Sequence, residues 1–293
     1  MRRLRLGMMS GGGIPLLLDL YPGAIGAWSL RKLRAGYGGT AIRVRRASDN
    51  AEQNIGFDAL GDLDTSALTT FCTGTNGFVT TWYDQSGNNK NGLQISAISQ
   101  PKIYDSVTGV LTQNGKPTVS FDGTNDFLDC GLINGGTKPA NYSSMNVSRY
   151  SSLATTRFAF GSINSGGQTT NAYLLNGIRS SKSENIFGDG VVGGTIANSV
   201  LNHTTNQQLN SSYYTGGNTI QMYRDGLGLS LTYLQQGASS CGGTEFKTSI
   251  ARSGEANSAY FIGDQQENIV YPSDQTANRV AIENDIKTYY GIP

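Results

Sequence analysis

Trp82, Tyr83 and Asp84 stand side by side in the run Val79-Thr80-Thr81-Trp82-Tyr83-Asp84-Gln85-Ser86-Gly87-Asn88. A carboxylate next to aromatic rings can hold a sugar, with the oxygens accepting hydroxyl protons while a ring covers the apolar face. Gln85 and Asn88 add amides, so Trp82, Tyr83, Asp84, Gln85 and Asn88 are the candidate glycan-binding residues. Neighbours on a strand face opposite ways, so only one of the two rings can share the face of Asp84. The competing role for Asp84, an Asx turn that anchors a strand end, is the preferred reading. Two other groups of acids invite a chemical role. Glu184 and Asp189 share a short segment, Ser183-Glu184-Asn185-Ile186-Phe187-Gly188-Asp189-Gly190, although Gly188-Asp189-Gly190 reads equally well as a turn. Asp122, Asn125 and Asp126 offer hard oxygens to calcium but lack a calibrated loop such as an EF-hand, and a turn is preferred there too. No other metal or cofactor is expected: His203 is the lone histidine, and Cys72, Cys130 and Cys241 lack metal-ligand spacing.

The elements that must position these residues are mostly strands. Val79 to Tyr83 alternates with period two, and Ile42 and Val44 alternate with Arg43 and Arg45 between Thr40 and Arg46. Asn114-Gly115, Asp122-Gly123, Asn176-Gly177 and Asp225-Gly226 are hairpin-grade dipeptides. The clearest hairpin runs from Ile220 to Leu231 around Asp225-Gly226. Helical character is expected over Ala24 to Arg34 and over Leu63 to Phe71, the latter capped by Asp62 or Asp64. A terminal helix is expected over Ala277 to Tyr290, stopped by Gly291.

The 293 residues carry 39 glycines, and charged residues make up only 15%, which suits many short strands joined by turns. A net charge of +1 gives no reason to expect a nucleic-acid partner, and no apolar run is long enough to span a bilayer. Charge is uneven, however: nine basic residues face only Asp19 among the first 46. Either the cluster docks on an acidic partner, or Arg43, Arg45 and Arg46 pair with the domain's own acids, the latter being slightly favoured. Residues 1–22 read as a docking arm, with Arg2, Arg3 and Arg5 for charge and Leu16, Leu17 and Leu18 for apolar contact across a triglycine hinge. Asp19 cuts the apolar stretch too short for a secretory signal. Residues 23–293 are then a single domain.

Several segments carry a family likeness. Trp28 to Tyr37, Ala41 to Asp49, Phe78 to Asn88 with its Tyr-Asp-Gln-Ser-Gly-Asn run, and Tyr271-Pro272-Ser273-Asp274 resemble the arabinofuranosidase B catalytic domain. Val119 to Leu128, Met222 to Gly226 and Tyr260 to Gly263 look like laminin-G-like domains. Both resemblances imply an all-β, concanavalin A-like (jelly-roll) antiparallel β-sandwich, here with an N-terminal arm and a C-terminal helix. The arabinofuranosidase resemblance also implies a nucleophilic glutamate in a Cys-Cys-Phe-Asp-Tyr-Gly-Asn-Ala-Glu segment, which this chain lacks, so no catalytic residue is expected. The combination further resembles virion proteins of tailed bacteriophages. The resulting expectation is a non-enzymatic virion component, a fibre or decoration protein and a homo-oligomer, attached to other virion proteins by its arm and binding cell-surface glycans. The alternatives are a secreted arabinofuranosidase-like hydrolase and an extracellular bacterial adhesion module.

Overall fold

The computed structural model describes residues 15–133, 140–164, 172–179, 181–187, 195–216, 218–235, 246–253 and 259–293. Strands make up 47% of the described residues and helix 13%, in keeping with the alternating pattern. Two antiparallel layers form a β-sandwich. In the first, the strands lie side by side in the order Glu52–Ile55, Ile42–Arg46, Gly77–Trp82, Lys102–Asp105, Val119–Asp122, Ile262–Tyr271, Tyr142–Tyr150, Gln208–Tyr214 and Ile220–Arg224. Gly26–Ser29 joins the same edge of Ile262–Tyr271 as Val119–Asp122 does. The second layer runs Gly92–Leu93, Leu128–Leu132, Phe246–Ile250, Arg157–Asn164, Ala172–Arg179, Lys182–Phe187, Thr195–Asn202 and Leu231–Gln235. The layers meet where Thr81 and Trp82 pair with Leu93 and Gly92.

Both faces of the first layer's central strands, Ile262–Tyr271, Tyr142–Tyr150 and Gln208–Tyr214, are buried. The layer's inner face contributes Trp28, Val44, Val79, Trp82 and Phe121 to a core completed by Phe160, Ile178, Ala197 and Ile250 from the second layer. Full burial of each such side chain contributes roughly 1.5 to 3 kcal/mol before ordering costs. A row of polar side chains in that interior is paired: Asn146 Nδ2 donates to Asn268 Oδ1 at 2.7 Å, Asn268 Nδ2 to Gln265 Oε1 at 2.9 Å, and Gln265 Nε2 to the Ala159 carbonyl at 3.0 Å.

The outer face packs against the C-terminal helix, Arg279–Tyr290, through Ile282, Ile286 and Tyr290 against Met145, Val147, Leu209, Tyr213 and Ile269. Gly291 ends this helix in the left-handed region at φ 64°, as the sequence predicts. Leu17 and Leu18 enter the same cluster from a one-turn helix, Leu17–Leu20, each only 3% exposed. The docking-arm expectation is therefore corrected for these two leucines: they belong to the chain's own core and cannot serve a partner while the domain is folded. Leu16 is half-buried beside them, and Arg2, Arg3 and Arg5 lie outside the described residues.

Two local expectations fail for tertiary reasons. The stretch from Ala24 to Arg34 contains a strand, Gly26–Ser29, instead of a helix, because pairing with Glu267–Val270 supplies its backbone hydrogen bonds. Asn176-Gly177 lies inside the strand Ala172–Arg179 and is not a turn. A Cβ on Gly177 would sit 2.1 Å from the Arg157 carbonyl oxygen, so glycine is needed there for close approach of the neighbouring strand. Asn114-Gly115 and Asp225-Gly226 do close hairpins, with φ of 48° and 73° and of 55° and 87°. The helix Thr65–Cys72 is capped by Asp64, which accepts from Ala67 N at 2.9 Å.

Candidate functional site

The Tyr-Asp-Gln-Ser-Gly-Asn run is a clasp inside the protein. Asp84 Oδ1 accepts from Ala27 N and Ser86 N, both at 2.9 Å, and Oδ2 accepts from Ser86 Oγ at 2.7 Å and Lys90 N at 3.0 Å. Gln85 is fully buried: Oε1 accepts from Leu33 N at 2.8 Å, while Nε2 donates to the Ser29 and Arg31 carbonyls. Asn88 Nδ2 donates to the Ala24 carbonyl at 3.0 Å, and Trp28 Nε1 to the Lys90 carbonyl at 2.8 Å. The run thus stitches residues 24–33 to the end of the strand Gly77–Trp82. Trp82 is 0% exposed and Asp84 4%. Trp82, Asp84 and Gln85 consequently present no surface to a glycan, a correction to the sequence reading, because the Trp82 ring is enclosed in the core and the polar atoms of Asp84 and Gln85 are committed to the fold. Tyr83 is half-buried, with its hydroxyl donating to Asn54 Oδ1 at 3.0 Å, and Asn88 is exposed.

The clustered basic residues are used internally as well. Arg31 forks onto Glu267 (Nε to Oε2 2.8 Å, Nη2 to Oε1 3.0 Å) and reaches Asp285 on the C-terminal helix at 2.6 Å. Arg43 pairs with Glu52 and Arg46 with Asp49. Arg45 donates to Gln100 Oε1 at 2.7 Å.

An open cleft of about 780 Å³ lies on the outward side of Gly77–Trp82, Lys102–Asp105 and Val119–Asp122. Phe78, Lys102 and Ser120 floor it, alternating with the core residues Val79, Ile103 and Val119, and Ile98 and Leu111 border it. Asp105, Asp122 and Asp126 line it. Asp122 Oδ1 accepts from Thr124 N, Asn125 N and Asp126 N at 2.7, 3.2 and 3.4 Å, the turn the sequence indicates. Asp126 Oδ2 accepts from Asp122 N at 3.0 Å. The two carboxylates therefore share one tight loop, with Asp122 exposed and Asp126 only 7% exposed. Burial, reinforced by the charge of Asp122, pushes the Asp126 carboxyl up to about 7. Asp105, by contrast, is held below the usual range by the N–H groups of Val107 and Thr108 and by Lys102. Carboxyls whose environments push their proton affinities apart are what acid–base catalysis uses. The residue numbers of this loop were visible in the sequence, but Asp126's burial was not, since it depends on the packing around the loop.

No group of three or more His, Cys, Asp or Glu that could hold a metal ion occurs among the described residues. His203 is buried: Nδ1 donates to the Thr204 carbonyl at 2.8 Å, and the ring meets Tyr150 edge-on with centroids 4.8 Å apart. Cys72 and Cys130 are buried free thiols, and Cys241 lies outside the described residues. Glu184 sits on the strand Lys182–Phe187, paired with Gly177 and Asn198, and Asp189 lies outside the described residues.

Against known families, residues 22–125 match the model for the catalytic domain of α-L-arabinofuranosidase B. Among solved structures, an arabinofuranosidase in complex with arabinofuranosyl-α-1,2-xylobiose superposes with a TM-score of 0.60 at 19% identity, over 90% of this chain and 62% of that one. A GH54 α-L-arabinofuranosidase soaked with a cyclic sulfate inhibitor gives 0.58 at 19% identity over the same shares. This chain thus spans about 62% of the length of the arabinofuranosidases it matches. No curated protein matches. These likenesses overturn the expectation of a non-enzymatic virion component: both the family match and the structural matches are to arabinofuranosidases. That expectation rested on the missing nucleophile motif, on a resemblance to virion proteins and on the arm, and neither the family match nor the structural matches point to a virion protein.

Proposed function

We propose that this chain is an arabinofuranosidase-like glycoside hydrolase domain. The observation that carries the proposal is the correspondence of its sandwich to solved arabinofuranosidases over 90% of its length, supported by the family match across residues 22–125. Hydrolysis of a glycoside requires a protonated carboxyl to donate to the departing oxygen and an ionised one to attack the sugar carbon or activate water. The cleft that Asp105 and Asp126 line supplies this division among the described residues. Asp126, with its raised proton affinity, is the proton donor in this reading. Asp105, which lines the same cleft and is held below the usual carboxylate range by the Val107 and Thr108 N–H groups and by Lys102, is the ionised partner in this reading. The glycosidic C–O bond breaks, the proton from Asp126 goes to the leaving oxygen, water supplies the new hydroxyl and gives its other proton to the ionised carboxylate, and exchange of that proton with solvent restores both carboxyls.

The test is release of 4-nitrophenol from 4-nitrophenyl α-L-arabinofuranoside by the purified chain. Asp126→Asn is expected to lower kcat by roughly 10²- to 10⁴-fold, the usual worth of a positioned general acid. Loss of turnover in Glu184→Gln, with Asp126→Asn unaffected, would move the proton donor to the second layer. Absence of turnover by the unmodified chain on aryl and polymeric arabinofuranosides would end the hydrolase reading.

A further inference from the structure

Beside the Asp126 cleft lies a second cleft of about 560 Å³, formed by residues 89–95 and 127–132. Its size is within the ~300 to 1,000 Å³ range of small-molecule sites. The two clefts share a ridge. Leu93, Gln94 and Ile95 line the second, while Ala97 and Ile98 of the same loop line the first. Asp126 lines the first and its chain neighbour Phe127 the second. Gln94 Nε2 donates to the Phe127 carbonyl at 3.2 Å and Phe127 N to the Ser99 carbonyl at 3.4 Å, which ties the ridge together. Leu93, Ile95 and Ile98 are all exposed along it, Ile95 by 97%, so the ridge offers an apolar surface.

The polar groups of the second cleft are reachable and unspent. Asn89 is exposed, and Lys90, Asn91 and Asp129 are half-buried. The Asp84 clasp fixes where the first of these stand. Lys90 N donates to Asp84 Oδ2 at 3.0 Å, the Lys90 carbonyl accepts from Trp28 Nε1 at 2.8 Å, and Asn91 Oδ1 accepts from Asp84 N at 3.0 Å. Asp129 Oδ1 accepts from Gly131 N at 2.8 Å. The Asn89 side-chain amide, Lys90 Nζ, Asn91 Nδ2 and Asp129 Oδ2 have no hydrogen-bond partner among the described residues. In charge, Lys90 and Asp129 balance each other. Leu93, Ile95, Phe127 and Leu132 make the rest of the lining largely apolar.

A ring with apolar faces and a rim of hydroxyls matches such a lining, since each hydroxyl both donates and accepts. A ligand with net charge of either sign would set itself against Lys90 or Asp129. We infer that the second cleft binds neutral sugar units, those on the departing side of the bond broken beside Asp126. Their hydroxyls meet Asn89, Lys90, Asn91 and Asp129, and their ring faces meet Leu93 and Ile95. Which side of the bond these units occupy rests on the hydrolase reading, whereas the binding rests on the cleft's own lining.

Titrating the ¹⁵N-labelled full chain with xylobiose and with cellobiose tests it. Saturable shifts should centre on the backbone amides of Gly92, Ile95 and Phe127 for at least one of the two. Asn89→Gly keeps the positive φ of 56° at that position and should weaken binding about five- to tenfold, the worth of one neutral hydrogen bond. Ile95→Ser, at a fully exposed position that folding does not depend on, should weaken it as well. Turnover of 4-nitrophenyl α-L-arabinofuranoside is followed on the same samples. No saturable shift with either disaccharide overturns the inference, whether or not the chain is active. So does binding that both variants leave unchanged. Binding lost in both variants by a chain that turns over no arabinofuranoside sustains the sugar site and ends the hydrolase reading alone.

Discussion

Single ionisable side chains in this protein act through where they are buried. Arg31, enclosed by Glu267, Asp285 and the rings of Tyr289 and Tyr290, ties the C-terminal helix to the central strand. Removing one partner of a buried pair leaves the other uncompensated, so Arg31→Met should cost roughly 3 to 5 kcal/mol of stability in urea unfolding. His203 is lowered to about 4, first by burial and further by Arg224, although the Thr204 and Asn210 contacts oppose this. Its folded form prefers to be neutral. The associated stability is therefore complete above the unfolded value of about 6.5 and is lost as pH falls towards about 4, an effect of about 3 kcal/mol in full. Asp126 works in the opposite sense: its folded form prefers the proton, so its contribution is greatest below pH 3.8 and declines as pH rises to about 7. Urea midpoints from pH 4 to 7 should rise more steeply with pH in Asp126→Asn and less steeply in His203→Gln than in the unmodified protein. Parallel curves for all three would show that neither group is linked to folding.

At the scale of elements, close approach and capping decide tolerance. Gly263, at φ 135°, sits where the strand Ile262–Tyr271 begins, and a Cβ there would lie 2.0 Å from the Arg149 carbonyl oxygen. Gly263→Ala forces that neighbouring strand to move and should cost at least 1 to 3 kcal/mol, about the price of a strained backbone position, read as a lowered melting temperature. The helix Arg279–Tyr290 is held by Glu283 as well as by its apolar face: Glu283 accepts from Tyr213 Oη at 3.1 Å and pairs with Arg279 at 2.7 Å. Ile286→Ala opens a cavity beneath it and is expected to destabilise by roughly 2 to 5 kcal/mol. Leu18→Ala should cost a similar amount, since Leu18 shares that cluster. A mere attachment arm would lose nothing, and the difference is measurable by denaturant titration.

For the whole molecule, the first layer is common to both hydrophobic clusters: Trp28 belongs to the inner one while Ala27, its neighbour on the same strand, belongs to the outer one. Neither cluster can lose its structure without exposing the other through Gly26–Ser29 and Ile262–Tyr271. Unfolding should accordingly be a single transition, with the fluorescence of the buried Trp28 and Trp82 and the far-ultraviolet circular dichroism changing together. Separate midpoints would mean that the helix layer detaches before the sandwich.

What the sequence determined by itself is local chemistry. Period-two alternation marked the strands around Val79 and Ile42, and Asn114-Gly115 and Asp225-Gly226 specified hairpins because both residues of each turn take positive φ. Asp62 or Asp64 marked a helix start, with Asp64 the cap in the structure, and Gly291 a helix end, through groups a few residues away. The Tyr-Asp-Gln-Ser-Gly-Asn run was legible as a signature of the fold, while its role inside the protein was not. Only the tertiary structure decided whether Asp84 meets solvent or Ala27 N, whether Leu17 and Leu18 reach a partner or Leu33 and Ile282, and whether Ala24 to Arg34 is helix or strand. Each of those outcomes depends on contacts between residues far apart in the chain, such as Trp28 with Asn268. Burial sets the proton affinity of Asp126 and the exposure of Trp82, and burial is a property of the packed chain, which no short window of sequence contains.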